Sequence, residues 1–447
     1  MKHCVRFALT GGLLLASCCV AHAQNPFIRD QYSADPSARV FGNKVYVYPS
    51  HDILATPGKG RVGWFCMEDY HVFSSSDLVN WTDHGVIVQQ NKVPWVRPDS
   101  YSMWAPDCIE RNGKYYFYFP TSPKDTVTYG RGFTIGVAMA DKPEGPYIPQ
   151  PTPIKGVRGI DPNVFIDKDG QAYLYWSAGN IYGAKLKDNM LELASDVKTL
   201  GELPSKGLKE GPYLFERNGT YYLTYPHVEN KIERLEYAVG ENPLGPFKFA
   251  GVIMDESPTG CWTNHHSVIN FKNQWYLFYH HNDYSPKFDK ARSVRVDSLF
   301  FNEDGTIKKV NPTLRGVGLT NASSQIQLDR YTNINDASIN FLDTADKFKG
   351  WKTEFNGQTA WVQYNSVDFG KKKIKSFTVR ALSEKGGKFQ VRLDKMDGPI
   401  IGEVTIPPTG QWKNIKSRTL KVEAGIHHLF VISKSDNPVE VDWIMFE

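Results

Sequence analysis

Past its first two dozen residues the sequence has no apolar run long enough to cross a bilayer as a helix, so it offers no membrane-spanning candidate. Cysteine is scarce as well. Of six in 447 residues, Cys4, Cys18 and Cys19 fall in the N-terminal leader; Cys66, Cys108 and Cys261 remain, an odd number at irregular spacing. That pattern excludes a disulfide framework; three buried thiols are expected, with a single bridge as the alternative. There is no H-x-x-x-H pair and no cysteine cluster, so a catalytic zinc site has no support. Net charge is small: 52 basic against 48 acidic residues give +4, and losing Lys2 and Arg6 with the leader leaves +2. A surface so balanced carries no electrostatic footprint for nucleic acid. Dinucleotide fingerprints, phosphate-cradling glycine loops and a Ser-His-Asp order are all missing. No amphipathic helix of convincing length can be found either.

What is present begins with that leader. Lys2, His3 and Arg6 precede an apolar stretch over residues 7–20, and Ala21-His22-Ala23 closes it. This predicts a secretory signal cleaved before Gln24 and a periplasmic or extracellular protein. Leu15-Ala16-Ser17-Cys18 also resembles a lipobox, so lipid anchoring at Cys18 is the alternative. The remaining length suits two or three units. Apolar content of 41% and charge of 22% predict a packed globular chain. Aromatics reach 13%, with 23 tyrosines, which suits β-strands and surfaces that stack on sugar rings.

The most informative feature is a repeat. Residues 35–50, 106–122, 161–177, 210–226 and 265–281 share one layout: a polar start, a short alternating strand, a tight turn and an aromatic-rich strand. Asn112-Gly113, Asp169-Gly170 and Asn218-Gly219 carry the chemistry of two-residue hairpins. The starts lie roughly 50 to 70 residues apart, enough for four strands each, so the prediction is an all-β five-bladed propeller. Asp35, Asp107, Asp161, Glu210 and His265 open the five hairpins and should converge near the axis. Carboxylates gathered there raise one another's pKa and cost stability, which marks a functional site. A general base is expected at Asp35, a general acid at Glu210, and at Asp161 a third carboxylate that orients the acid and keeps its proton affinity high. Asp107 is open between substrate contact and a structural role. His265 is open between a hydrated metal ion and a hydrogen bond to a carboxylate. Two opposed carboxyl groups suit acetal hydrolysis.

These residues resemble glycoside hydrolase family 43 over about residues 25–318. Ala34-Asp35-Pro36, Gly159-Ile160-Asp161-Pro162 and Glu210-Gly211-Pro212 are similar to its base, pKa-modulating and acid motifs. Trp104-Ala105-Pro106-Asp107 and Ser76-Asp77-Leu78-Val79-Asn80-Trp81 are similar to accessory signatures, and His265-His266-Ser267 to an axial motif near bound calcium or water. Arg292 resembles a substrate-side arginine. The resemblance implies a propeller, inversion at the anomeric carbon, no cofactor for the chemistry, and an oligo- or polysaccharide substrate. Its activities include α-L-arabinofuranosidase, β-xylosidase, endo-arabinanase and exo-β-galactosidase. An exo-acting arabinofuranosidase or xylosidase on plant hemicellulose, working as a monomer, is the expectation, with xylan breakdown as the setting. Trp64, Tyr70 and Trp104 are candidate sugar-pocket walls. A glycan-binding propeller without turnover is the rival reading, and so is a retaining fructan-cleaving enzyme, although no Asn-Asp-Pro or Arg-Asp-Pro motif supports the latter.

After Gly318 the text changes. Residues 325–447 hold short strands with turns at Asn356-Gly357, Lys385-Gly386-Gly387 and Thr409-Gly410, which predicts a β-sandwich. Residues 364–370, 409–412 and 441–443 resemble carbohydrate-binding module family 6. The resemblance places a structural calcium at Gln327, Asp329 and Asp442, and an aromatic clamp at Phe355 and Trp412. Glu440 stands where that family's cleft has an Asn, so a sandwich that merely supports the propeller is the alternative.

Overall fold

The computed structural model describes residues 24–201 and 203–447; the expected leader, with Cys18, lies outside the described residues. Hairpins on two-residue turns build most of the first half. Asn112 and Gly113 have φ of 54° and 76°, and Asn218 and Gly219 have 54° and 85°. Both central residues are thus left-handed, the twist that lets two strands pair without splaying.

Four sheets of four antiparallel strands follow in chain order. The first holds β1 (Ala34–Phe41), β2 (Lys44–Ser50), β3 (Asp69–Ser75) and β4 (Thr82–Gln89). The second holds β5 (Asp107–Arg111), β6 (Lys114–Thr121), β7 (Thr134–Ala140) and β8 (Ile148–Pro149). The third holds β9 (Ile160–Ile166), β10 (Ala172–Ser177), β11 (Ile181–Lys185) and β12 (Lys198–Thr199). The fourth holds β13 (Tyr213–Arg217), β14 (Thr220–Val228), β15 (Glu233–Gly240) and β16 (Phe247–Met254). A fifth sheet has three strands: β17 (Ser267–Phe271), β18 (Gln274–His281) and β19 (Ser293–Leu299). The first strands of the sheets, β1, β5, β9, β13 and β17, touch in a closed cycle, with β17 returning to β1. This is the radial packing of a propeller.

Tyrosines pin neighbouring sheets together. Tyr48, Tyr118 and Tyr175 sit at the same step after their turns and are fully buried. Each hydroxyl donates to a main-chain carbonyl of the next sheet, at Pro143, Met190 and Pro243 respectively, at 2.7 Å. A phenol suits this place because its ring fills the wedge while its tip satisfies an otherwise orphaned carbonyl.

The ring is closed by the chain's own beginning. Phe27 N–H donates to Val294 C=O and Ser33 N–H to Arg292 C=O. The buried Asn25 side chain donates to Val296 C=O (3.0 Å) and Thr313 C=O (2.9 Å) and accepts from Val296 N–H (2.9 Å).

The C-terminal unit packs two sheets face to face. One carries Trp361–Asp368, Ile426–Ser433, Gly387–Leu393 and Ile400–Ile406 at its centre; the other carries Trp351–Phe355, Val439–Phe446, Ser376–Leu382 and Lys413–Arg418. Thr320–Asn321 already pairs in the first of these, ahead of residue 325. The sandwich is tied to the propeller: Gln24 Nε2 donates to the Tyr364 hydroxyl (2.8 Å), Arg315 Nε donates to Asn365 C=O (2.8 Å), and Tyr284 lies 4.7 Å from the Trp351 ring. Cys66, Cys108 and Cys261 are free and buried, as expected.

Replacing Asn25 by Ala should destabilise the propeller by about 3 kcal/mol, because the Val296 and Thr313 main-chain groups lose their partner inside the protein. Urea denaturation of both proteins checks this.

Candidate active site

Prolines set the register of the site. Pro36, Pro106, Pro162 and Pro212 begin the inner strands of four sheets, and the residues before them, Asp35, Ala105, Asp161 and Gly211, stand on one level. Asp35 and Asp161 have φ of 48° and 58° and Gly211 has 51°. In the first and third sheets the register slips at that point, between Ala34 and Ser37 and opposite Tyr175–Ser177, so each Asp leaves the ladder. Proline brings no N–H to the ladder, and Asp tolerates the left-handed region better than most residues. Gly211 has no such freedom to carry a side chain: a Cβ there would meet Pro226 at 2.9 Å.

The residues after the prolines form a lower level, and Asp107 belongs to it. Its motif is Pro-Asp where the first and third sheets have Asp-Pro, so it falls two steps further along the strand than Asp35, level with Ser37. Its carboxylate accepts from Ser37 Oγ (2.6 Å), Arg39, Asn163 Nδ2 (3.1 Å) and the main-chain N–H of Val164 (2.7 Å) and Cys108 (2.8 Å). Saturated in this way, Asp107 holds the axis together and is not a substrate contact. Ala105 stands in the upper level instead.

The upper level opens into a cavity of about 190 Å³. Asp35, Asp161, Glu210 and His265 line it, as the repeat predicts, together with Arg292, Trp64 and Trp104. Asp35 Oδ1 receives Arg292 Nη1 (2.8 Å) and Oδ2 receives Ser50 Oγ (2.6 Å). Its main-chain N–H donates to His280 Nδ1 (3.0 Å), which fixes that buried imidazole with its single proton on Nε2, directed at Thr263 C=O. Burial opposes ionisation of Asp35, but Arg292 with the surrounding imidazoles and Ser50 overrides it and holds the pKa at about 2. Folding therefore favours the ionised form. That contribution is complete above the free-group value of 3.8 and is lost as pH falls towards 2.

Arg292 faces the protein rather than the cavity alone. Its Nε and Nη2 donate to the two oxygens of Asp52 at 2.8 and 2.9 Å, and its Nη1 serves Asp35. Sequence reading assigned it to substrate; its observed partners are the two aspartates, and Asp52 had been missed. Ser50 and Asp52 flank His51 in one short stretch, a signal available only once the role of Asp35 is known.

Glu210 is governed by another residue that sequence reading missed. Glu233, at the start of β15, is buried; its Oε2 accepts Asn264 N–H (2.7 Å) while its Oε1 has no donor among the described residues. The Glu210 carboxyl hydrogen-bonds Glu233, a contact between two acids that needs a proton on one of them. Burial pushes the Glu210 carboxyl well above the usual range, and the charges of Glu233 and Asp161 and the hydrogen bond to Glu233 push it further. Asp161 is raised by burial, against the pull of His265, Gly211 N–H (2.9 Å) and Ser177 Oγ (2.8 Å). His265 Nδ1 bridges the set, 3.9 Å from both Asp35 and Asp161. One pocket thus favours the ionised form of one carboxyl and the protonated form of another.

Aromatic rings wall it. Trp104 packs on Phe65 at 5.8 Å, and Phe65 stacks on Trp262 at 6.1 Å, with Trp64 alongside. Tyr70 is no wall. It is fully buried, and its hydroxyl donates to Trp104 C=O (2.6 Å), holding that tryptophan from behind.

In the sandwich, Phe355 is a core residue, fully buried and 4.7 Å from Phe389 of the opposite sheet. It cannot clamp a sugar with Trp412, which is half-buried under the Arg380 guanidinium at 4.9 Å. Asp442 pairs with Arg380 and Asp329 with Arg330. Asp329 Oδ1 is buried without a hydrogen-bond partner among the described residues, and burial lifts its pKa to about 6, with Asp442 adding to the rise. Gln327 lies on a strand paired with Trp443.

Comparison with known proteins agrees with this geometry. Residues 23–307 match the profile of glycosyl hydrolases family 43, and residues 330–447 that of carbohydrate binding module (family 6). Xylosidase/arabinosidase 43A of Humicola insolens is 37% identical over 64% of this chain and 99% of its own length. An arabinoxylan arabinofuranohydrolase of Bacillus subtilis is 29% identical over 91% of this chain and 88% of its own. Among solved structures, a family 43 β-xylosidase/α-arabinofuranosidase from a compost microbial metagenome matches with TM-score 0.58 and 35% identity, over 65% of this chain and 98% of its own. The Bacillus subtilis arabinoxylan arabinofuranohydrolase bound to cellotetraose matches with TM-score 0.56 and 26% identity, over 95% and 99%. Profile, relatives and the carboxyl-lined pocket point the same way, and the chain belongs to glycosyl hydrolases family 43.

Proposed function

We propose that this glycoside hydrolase removes single pentose residues, arabinofuranose or xylose, from plant hemicellulose, with inversion at the anomeric carbon. The observation that carries the reading is the split of the pocket carboxyls: Asp35 is held at about 2 while Glu210 is held well above the usual carboxylate range. At neutral pH the two stand ready as base and acid. Asp35 takes a proton from water as the water oxygen bonds to the anomeric carbon. Glu210 gives its proton to the departing glycosidic oxygen, so charge and atoms balance, and inversion follows because water arrives opposite the leaving group. Asp161, joined to the peptide after Glu210 through Gly211 N–H, orients the acid and adds to its proton affinity. Glu233 holds the acid's proton in place.

The cavity, about 190 Å³, is below the roughly 300–1,000 Å³ of drug-sized sites, which favours one sugar ring over a long stretch of polymer. Trp64, Phe65, Trp104 and Trp262 offer the stacking faces. The relatives named xylosidase or arabinosidase support the pentose. The chemistry uses carboxyl groups alone. A calcium beside His265 would take one protein nitrogen and keep its own water shell, since such ions seek six to eight oxygens and the nearby carboxylates already have donors. In the sandwich, the orphaned Asp329 Oδ1 near Asp442 suits a structural calcium, with Arg330 and Arg380 neutralising the far sides. Export through the leader would place the enzyme where polysaccharide is met, and the sandwich would hold it there.

Asp35→Asn should lower turnover roughly a thousandfold while the protein stays folded; nitrophenyl arabinofuranoside, xyloside and galactoside identify the sugar, and proton NMR of the first anomer released reports inversion. Retention, or near-normal turnover of the variant, would overturn the mechanism. Glu210→Gln should lose most on poor leaving groups and little on activated aryl glycosides. Glu233→Gln removes a buried negative neighbour, so the Glu210 pKa falls and the alkaline limb of the kcat/KM profile moves to lower pH, as a pH–rate series would show.

A further inference from the structure

Outside the catalytic pocket, three metal-ligating side chains converge at one place among the described residues. One donor atom each from His51, Asp69 and His71 lies within 4.8 Å of the others. Asp69 and His71 stand two apart on β3, and His51 follows the end of β2, so two adjacent strands carry the cluster. The imidazoles are already oriented. His51 Nδ1 is 2.6 Å from Asp69 Oδ1, and His71 Nδ1 is 3.0 and 3.1 Å from the two oxygens of Asp83. The rings meet edge to face at 5.1 Å. Their side chains are partly open to solvent, 20% for His51, 11% for Asp69 and 15% for His71, so an ion has a way in.

We propose that His51, Asp69 and His71 bind a first-row divalent ion of the Zn²⁺ kind, with Asp83 fixing the His71 ring. Two imidazoles and a carboxylate are the donor set such ions prefer, and water fills the fourth position. Bonds of about 2.0–2.2 Å place tetrahedral donors roughly 3.4 Å apart, so small side-chain rotations close the site. The carboxylate behind His71 sets its tautomer and orientation. Calcium, which seeks oxygens, fits this set poorly. None of the three residues lines the catalytic pocket.

The test is calorimetric titration of the chelator-stripped full chain with Zn²⁺ alone. One ion per chain is expected, with a higher melting temperature when it is bound. His71→Ala should bind at least about tenfold more weakly, and Asp83→Asn should weaken binding by a similar or smaller factor. Both variants should hydrolyse glycosides as the parent does. Co²⁺ in place of Zn²⁺ should give visible absorption that His71→Ala lacks. If His71→Ala does not fold, His51→Gln serves in its place. No binding at millimolar Zn²⁺, or unchanged affinity in the variant, would overturn the proposal, and neither result bears on glycoside hydrolysis.

Discussion

A single buried guanidinium organises the catalytic end of the propeller. Arg292 reaches from β19's approach across to Asp35 and Asp52, and all three side chains are hidden from solvent. Two aspartates could not both stay charged there without it, because desolvation and mutual repulsion push each towards the neutral form. With the arginine in place, Asp35 remains a carboxylate. Its Oδ1 is tied to Arg292 and its Oδ2 to Ser50. The opposite wall works by the reverse principle. Glu210 and Glu233 face each other with no cation between them, so a proton takes the cation's place. One fold thus maintains two protonation states a few side chains apart.

Much of this was readable in advance, for definable reasons. The five hairpins announce themselves because two-residue turns need Asn, Asp or Gly, and the strands beyond them need aromatic residues. Asp35, Asp161 and Glu210 followed from their place in the repeat. The register was read less well, because Asp107 was aligned with Asp35 by type of side chain, whereas the backbone aligns by proline. Glu233 was invisible because it opens the third strand of its sheet, outside the repeated phrase. Asp52 was missed because a loop carboxylate declares itself only through its partner, Arg292, some 240 residues away. Phe355 misled because a resemblance in motif does not say which face of a strand is the core. It points inward, to Phe389.

The two units share more than a linker. Gln24 and Asn25 touch both: Gln24 reaches Tyr364 of the sandwich, and the Asn25 carbonyl accepts from Arg330 while its side chain serves the last propeller sheet. The tilted ring contact of Tyr284 with Trp351 continues the seam. A sandwich fixed in this way keeps a set position relative to the pocket.

That closure has a kinetic corollary. Because residues 25–33 hydrogen-bond along a sheet whose strands come some 270 positions later, the ring's last contacts wait for nearly the whole propeller to exist. Unfinished chains would expose an open edge on each side of the gap, with Tyr, Phe and Val ready to pair with a stranger. Once shut, no sheet can peel away alone, and loss of order should be a concerted event rather than fraying from either end.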